Sequence, residues 1–265
     1  MAFINYATKS LAIKIVYYGP GLSGKTTNIR YICSKMDPDS RGELICLETP
    51  VERTLFFDLL PIRAGLINEF STHFQLMTVP GQVFYEASRK SVVKGVDGIV
   101  FVADSQVPLI DANLENFDCL RRNLLDHDID LNLIPLVFQY NKRDLENLIP
   151  VETFNSLLNP QGRPYVESSA INGDGVLETL KEIAKITVPW IREKLFGEKR
   201  DAEDKEEQLR RIREAEVKRA DVKTEIEFVP EKEAAPIRMT KIKFKTQVDV
   251  EDQLESLAKE FTSKK

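Results

Sequence analysis

Four short apolar runs punctuate the first part of the chain: AIKIVYY (12–18), FQLMTV (74–79), GIVFVAD (98–104) and IPLVFQY (134–140). Each is rich in β-branched and aromatic residues and has the length of a strand rather than a helix. Helix-like segments follow them. The clearest are Leu109–Asp126, where Leu114, Phe117, Leu120 and Leu124 recur near helical spacing, and Val176–Phe196. Near-continuous apolar strands separated by helices predict an α/β fold, a mostly parallel central sheet flanked by helices on both faces. Ligands of such sheets sit at the carboxyl ends of the strands.

Charge divides the chain of 265 residues near Gly197. Residues 1–197 hold 44 charged side chains, whereas the 68 residues of 198–265 hold 35. The expected organisation is therefore a folded domain over 1–197 and a highly charged extension over 198–265. An apolar fraction of 42% is enough for a core, and a net charge of −5 gives no reason to expect nucleic acid. No run of 18 apolar residues predicts a membrane span. The opening MAFINYATKS lacks the features of a secretory leader, and neither end carries a lipidation box. Cys33, Cys46 and Cys119 share no metal-ligand spacing, so reduced thiols in a cytosolic protein are expected. His73, ahead of a strand, and His127, after a helix, have no partner at ligand spacing, and Trp190 reads as a packing residue.

The motifs lie where strands end. GPGLSGKT (19–26) follows the first run, opens a helix and fits the phosphate-loop pattern G-x-x-x-x-G-K-[ST]. Gly19, Gly21, Leu22, Ser23 and Gly24 would turn backbone N–H groups toward an anion, and the helix opening at Lys25, Thr26 and Thr27 adds its positive end. Lys25 can reach terminal phosphates, and the Thr26 hydroxyl can ligate Mg²⁺. NKRD (141–144) follows the fourth run. Asp144 can accept from guanine's N1–H and 2-amino group, whereas adenine would set an acceptor against it. Asn141 would address another edge of the base, the Lys142 stem its face, and SSA (168–170) a further loop in which Ser169 flanks the Ala170 N–H, aimed at the guanine carbonyl.

With those motifs the chain resembles the Ras-like small GTPases, and among them the MglA-type GTPases of bacterial gliding motility and cell polarity. KIVYYGPGLSGKTTN, ERTLFFDLLP, TVPGQVFYEASRK, GVDGIVFVADSQ and QYNKRDL carry the resemblance, which spans about residues 1–196. It implies a P-loop small-GTPase fold, GTP and GDP as ligands, Mg²⁺, and slow hydrolysis stimulated by a roadblock-fold dimer of the MglB type. It further implies polarity or motility effectors and a cytoplasmic protein that could concentrate at a cell pole. Thr54 and Gly81 match γ-phosphate-sensing positions, with Thr54 also on the metal. Arg53 matches an arginine supplied in cis to the transition state, and Gln82 the glutamine that orients water. Many switches carry aspartate where this chain has Thr78; threonine in TVPGQ marks the MglA-type branch, and Thr78 could reach the metal through water. FFDLLP (56–61) reads either as a responsive switch strand or as plain core.

A nucleotide-bound scaffold without useful turnover is the alternative reading, though a pure scaffold has no chemical need of Arg53 and Gln82. Three readings of the extension stay open: a disordered charged segment, a small strand–strand–helix unit, or a docking segment. TEIEF (224–228) and TKIKFKTQVDV (240–250) alternate apolar and charged positions, and Leu254, Leu257, Ala258 and Phe261 share helical spacing.

Overall fold

A computed structural model describes residues 2–46, 57–80 and 85–197. Among the described residues eight strands form one sheet: β1 (Phe3–Asn5), β2 (Ser10–Tyr18), β3 (Ile45–Cys46), β4 (Asp58–Ile67), β5 (Phe70–Thr78), β6 (Gly98–Asp104), β7 (Leu136–Asn141) and β8 (Tyr165–Glu167). Their order is β3-β4-β5-β2-β6-β7-β8, with β1 pairing antiparallel to β2. The helices are α1 (Lys25–Lys35), α2 (Glu86–Val93), α3 (Ile110–Leu125), α4 (Val151–Leu157) and α5 (Val176–Arg192). The mostly parallel sheet flanked by helices is the α/β architecture expected from the apolar runs.

Burial explains why those runs became strands. Every residue of β6 is buried, and β6 lies between β2 and β7, parallel to both. Even-numbered residues of β7 (Leu136, Phe138, Tyr140) join a core with Leu120 and Leu124 of α3 and Phe154 of α4. Odd-numbered ones therefore face the opposite side, since side chains alternate across a sheet. α5 buries Val176, Leu180, Ile183, Ala184, Val188 and Ile191, an i, i+3, i+4 stripe. Each large apolar side chain so buried is worth about 1.5–3 kcal/mol. Close packing decides one further position: a Cβ on Gly98 would meet Ile183 at 3.4 Å and press on the Thr187 hydroxyl.

Two segments differ from the expected boundaries. The strand expected at 74–79 begins at Phe70, so His73 lies inside β5 rather than ahead of it. Its antiparallel partner β4 contains Pro61, Gly65 and a register shift between Arg63 and Leu66, features that disguise a strand in sequence. Asn68 and Glu69, both at positive φ, close the two-residue turn between Ile67 and Phe70. At the chain's other described end, the α-helical part of Val176–Phe196 stops at Arg192, and Glu193–Gly197 forms a π-helical turn.

Candidate nucleotide site

Because β2, β6, β7 and β8 run parallel, their carboxyl ends open onto one edge of the sheet. Tyr18 leads into the loop 19–24, Asp104 into Ser105, Asn141 into Lys142–Asp144, and Glu167 into Ser168–Ala170. Topology thus brings distant motifs to one place.

The phosphate loop is built around a buried lysine. Lys25 Nζ donates to the carbonyls of Pro20 at 2.6 Å and Gly19 at 3.0 Å. Burial first, and then the Arg89 charge, lower its pKa against the opposing pull of Asp58, to about 7. Gly24 caps α1 in a left-handed conformation (φ 100°), where a Cβ would collide with the Asn141 amide. Leu22, also left-handed at φ 60°, projects its side chain into solvent at the loop's tip. That conformation is sterically costly for a residue with a Cβ. Ser23 is fully buried and Thr27 is exposed.

Beside the cradle stands a carboxylate that the motif reading missed. Asp58, fully buried, opens β4 opposite the end of β5, one step beyond the Leu59–Met77 pair. Its Oδ2 accepts from Thr26 Oγ1 at 2.7 Å and from Thr78 Oγ1 at 2.8 Å. The Asp58 N–H in turn donates to Thr78 Oγ1 at 2.9 Å. Asp58 Oδ1 is buried with no hydrogen bond among the described residues. So the acid absent from position 78 has a counterpart on the adjacent strand, and Thr78 holds it in place. Hydroxyl and carboxylate oxygens side by side, one of them unspent, are the hard donor set that suits Mg²⁺.

The loops expected to read a base are tied to the 19–24 loop. Asn141 Nδ2 donates to Ser23 O at 2.7 Å, while its Oδ1 accepts from Ala170 N at 2.9 Å and Ser168 Oγ at 3.0 Å. The Ala170 N–H expected to meet a base carbonyl is therefore engaged by Asn141 in this structure, and a base would have to share or take over that donor. Ser169 Oγ is buried without a hydrogen bond among the described residues. Lys142, at φ 69°, has its ammonium 2.6 Å from Asp104 Oδ2, which stretches the stem across the loop. Asp144 is exposed and makes no hydrogen bond or ion pair among the described residues.

No protein-family profile matches the chain. Among curated proteins, the mutual gliding-motility protein MglA of Myxococcus xanthus (strain DK1622) is 52% identical over 192 residues, covering 72% of this chain and 98% of that protein. The chain belongs to the MglA family.

Arg53, Thr54, Gly81 and Gln82 lie outside the described residues, as do TEIEF, TKIKFKTQVDV and the periodic segment from Leu254 to Phe261. Gly19, Gly21, Leu22, Ser23, Gly24, Lys25, Thr26 and Thr27 form one loop and helix opening, and Asn141 joins it to Ser168–Ala170. Besides Asp58, sequence reasoning missed Arg143, the third residue of NKRD. Its side chain reaches Glu167 at 2.9 Å and the Ile149 carbonyl at 2.9 Å, fastening the base loop to β8. A cavity of about 390 Å³ between α3 and the end of α4, lined by Phe117, Arg121, Leu158 and Arg163 among others, contains none of the motif residues.

Proposed function

We propose that this MglA-family chain is a GTP-binding and GTP-hydrolysing molecular switch. The observation that carries the reading is the Asn141 bridge. One side chain joins a phosphate loop with a buried lysine to a base loop whose Asp144 carboxylate is unspent. A nucleotide would lie along that bridge, phosphates at the amino end of α1 and guanine against Asp144. Lys25 would exchange its two carbonyl partners for phosphate oxygens, a stronger charge-assisted pairing. Thr26, Thr54 and Asp58 are the oxygens suited to hold Mg²⁺, which when bound would neutralise phosphate charge.

Arg53 and Gln82 are assigned to hydrolysis by their match to MglA-type sequences. Arg53 would stabilise charge developing in the transition state, and Gln82 would orient the attacking water. The regulator is a roadblock-fold dimer of the MglB type, and the setting is the cytosol, concentrated at a cell pole. The similarity to a gliding-motility protein supports motility as the process served.

GTP turnover by the full chain, with and without a roadblock dimer, tests the reading. Groups that act only in the transition state lower the barrier without adding ground-state affinity. Arg53→Ala and Gln82→Leu should keep GTP affinity yet lose about a thousandfold or more of stimulated turnover. Tight GTP binding with no turnover in the parent would favour a nucleotide-bound scaffold instead.

A further inference from the structure

Two residues before Asn141, on the same face of β7, lies Gln139, wholly buried. Its registered partners on the adjacent strands are Val102 and Val166, so an aliphatic side chain would suit the strand itself. A buried amide costs several kcal/mol unless it is hydrogen-bonded. Gln139 Nε2 donates twice: to Asn28 Oδ1 on α1 at 2.9 Å and to Thr179 Oγ1 on α5 at 3.0 Å. Both partners are also fully buried. Gln139 Oε1 has no hydrogen bond among the described residues, so the side chain is used for its donors.

Each partner passes the connection on. Asn28 Nδ2 donates to Gly24 O at 2.9 Å, and Thr179 Oγ1 donates to Gly175 O at 2.7 Å. Gly24 is the last residue of the phosphate loop before Lys25. Gly175 ends the loop that begins at Ser168, where Ser169 N donates to Asp174 O at 3.0 Å. An unbroken chain therefore runs Gly24–Asn28–Gln139–Thr179–Gly175. It lies beneath the Asn141 bridge and repeats it: the successive carbonyls Ser23 O and Gly24 O are both tied, through successive inward residues of β7, to the 168–175 loop. Asn141 was expected from its motif. Asn28 and Gln139 border the phosphate-loop and NKRD patterns inside the stretches that carry the resemblance but had no role assigned, and Thr179 lies in none of those stretches.

We infer that Gln139 is a positioning residue that couples the phosphate cradle to the base loop, so that the two halves of the site hold and release nucleotide together. The inference rests on the nucleotide-switch reading above. A side chain that only filled space would leave the two grips independent. A chain of buried hydrogen bonds instead transmits displacement at one end to the other, because breaking any one bond strands a buried donor or acceptor.

The test uses the full chain and release of fluorescently labelled GDP in Mg²⁺. The triple variant Asn28→Leu, Gln139→Leu, Thr179→Val removes the network and leaves no orphaned partner, a replacement that can be nearly neutral for stability. We expect it to melt near the parent temperature while releasing GDP about tenfold faster or more. Adding Asp144→Asn to the triple should then accelerate release by less than the same substitution does in the parent, the non-additivity of a coupled pair. Parent-rate release from the folded triple, or effects that multiply fully, would overturn the coupling. Should the triple fail to fold, Thr179→Val alone decides: faster release supports the inference, and parent-rate release overturns it. A parent chain with no affinity for GDP overturns the nucleotide reading itself, and no variant is needed to see that.

Discussion

At Asp58 and Thr78 the chain exchanges what two neighbouring strands contribute. An aspartate at position 78 would hold a metal-bound water directly; here the carboxylate stands on β4, and the threonine both donates to it and accepts its N–H. Asp58→Asn keeps the shape and removes the charge. Hydrogen bonds to an ionised partner are roughly twice as strong as neutral ones, so the Mg²⁺ needed for GTP binding should rise about tenfold. Thr78→Asp alone should do worse than restore an ordinary switch, because two carboxylates would then adjoin in a buried site. The exchange Asp58→Thr with Thr78→Asp returns the charge to β5 and should recover part of what either single change loses. Mg²⁺ titrations of GTP binding for the four proteins measure this, and equal midpoints would show that neither residue serves the metal. Lys25 gives a second test. Burial first, then the Arg89 charge, bring its pKa to about 7 without nucleotide, and phosphates would draw it back toward the ordinary lysine range. Binding above pH 7 must therefore take up a proton, and affinity falls as pH rises toward the bound-state pKa. Above about pH 8, where nucleotide phosphates are fully ionised, calorimetry in buffers of different ionisation enthalpy should show uptake close to one proton. Lys25→Arg should abolish that uptake; an unchanged uptake would assign the proton to another group.

Elements differ in how plainly the sequence announces them. β6 matches the run GIVFVAD residue for residue, because a strand covered on both faces needs apolar side chains at every position. α3, expected over Leu109–Asp126, forms over Ile110–Leu125 because its apolar stripe has the period of a helix. β4 has neither signal. Pro61 and Gly65 interrupt it, and its pairing with β3 spans only Ile45–Leu59 and Cys46–Asp58, so a proline further along removes no donor from a continuous ladder. The turn after it uses Asn68-Glu69 where a glycine would have flagged a hairpin. The site divides in the same way. The loops stand out as sequence patterns because backbone approach to phosphate would demand glycines at fixed spacing, and reading guanine would demand a carboxylate. Asp58, Arg143 and Gln139 were not, since each acts through a neighbour across strands or loops, and no spacing along the chain records such a pairing. Asp58 sat inside FFDLLP, where core and switch strand were equally open; it is buried like core and bonded like a site residue.

At the scale of the whole chain, the buried apolar residues that form the described core run from Leu11 to Ile191. All of those buried positions precede residue 198, and the last one on α5 is Ile191. Sequence points the same way, since the extension carries 17 basic and 18 acidic residues and no nucleotide motif. Its near balance of signs means that removing it shifts the formal net charge only from −5 to −4. Long-range steering of an anionic nucleotide should then hardly change. Truncation after Gly197 is therefore expected to leave a soluble protein that melts within a few degrees of the parent and binds GDP within about twofold. A tenfold change would require about 1.4 kcal/mol of interaction between extension and ligand or cradle. What truncation should alter is an effector contact or placement in the cell, since a charged segment with apolar alternation and one helical stripe suits a protein surface. Melting curves, GDP titration and imaging of the truncated chain separate the outcomes. A truncated protein that precipitates, or that melts more than about 10 °C lower, would make the extension part of the folded core, because a loss of that size exceeds what removing solvated surface can produce.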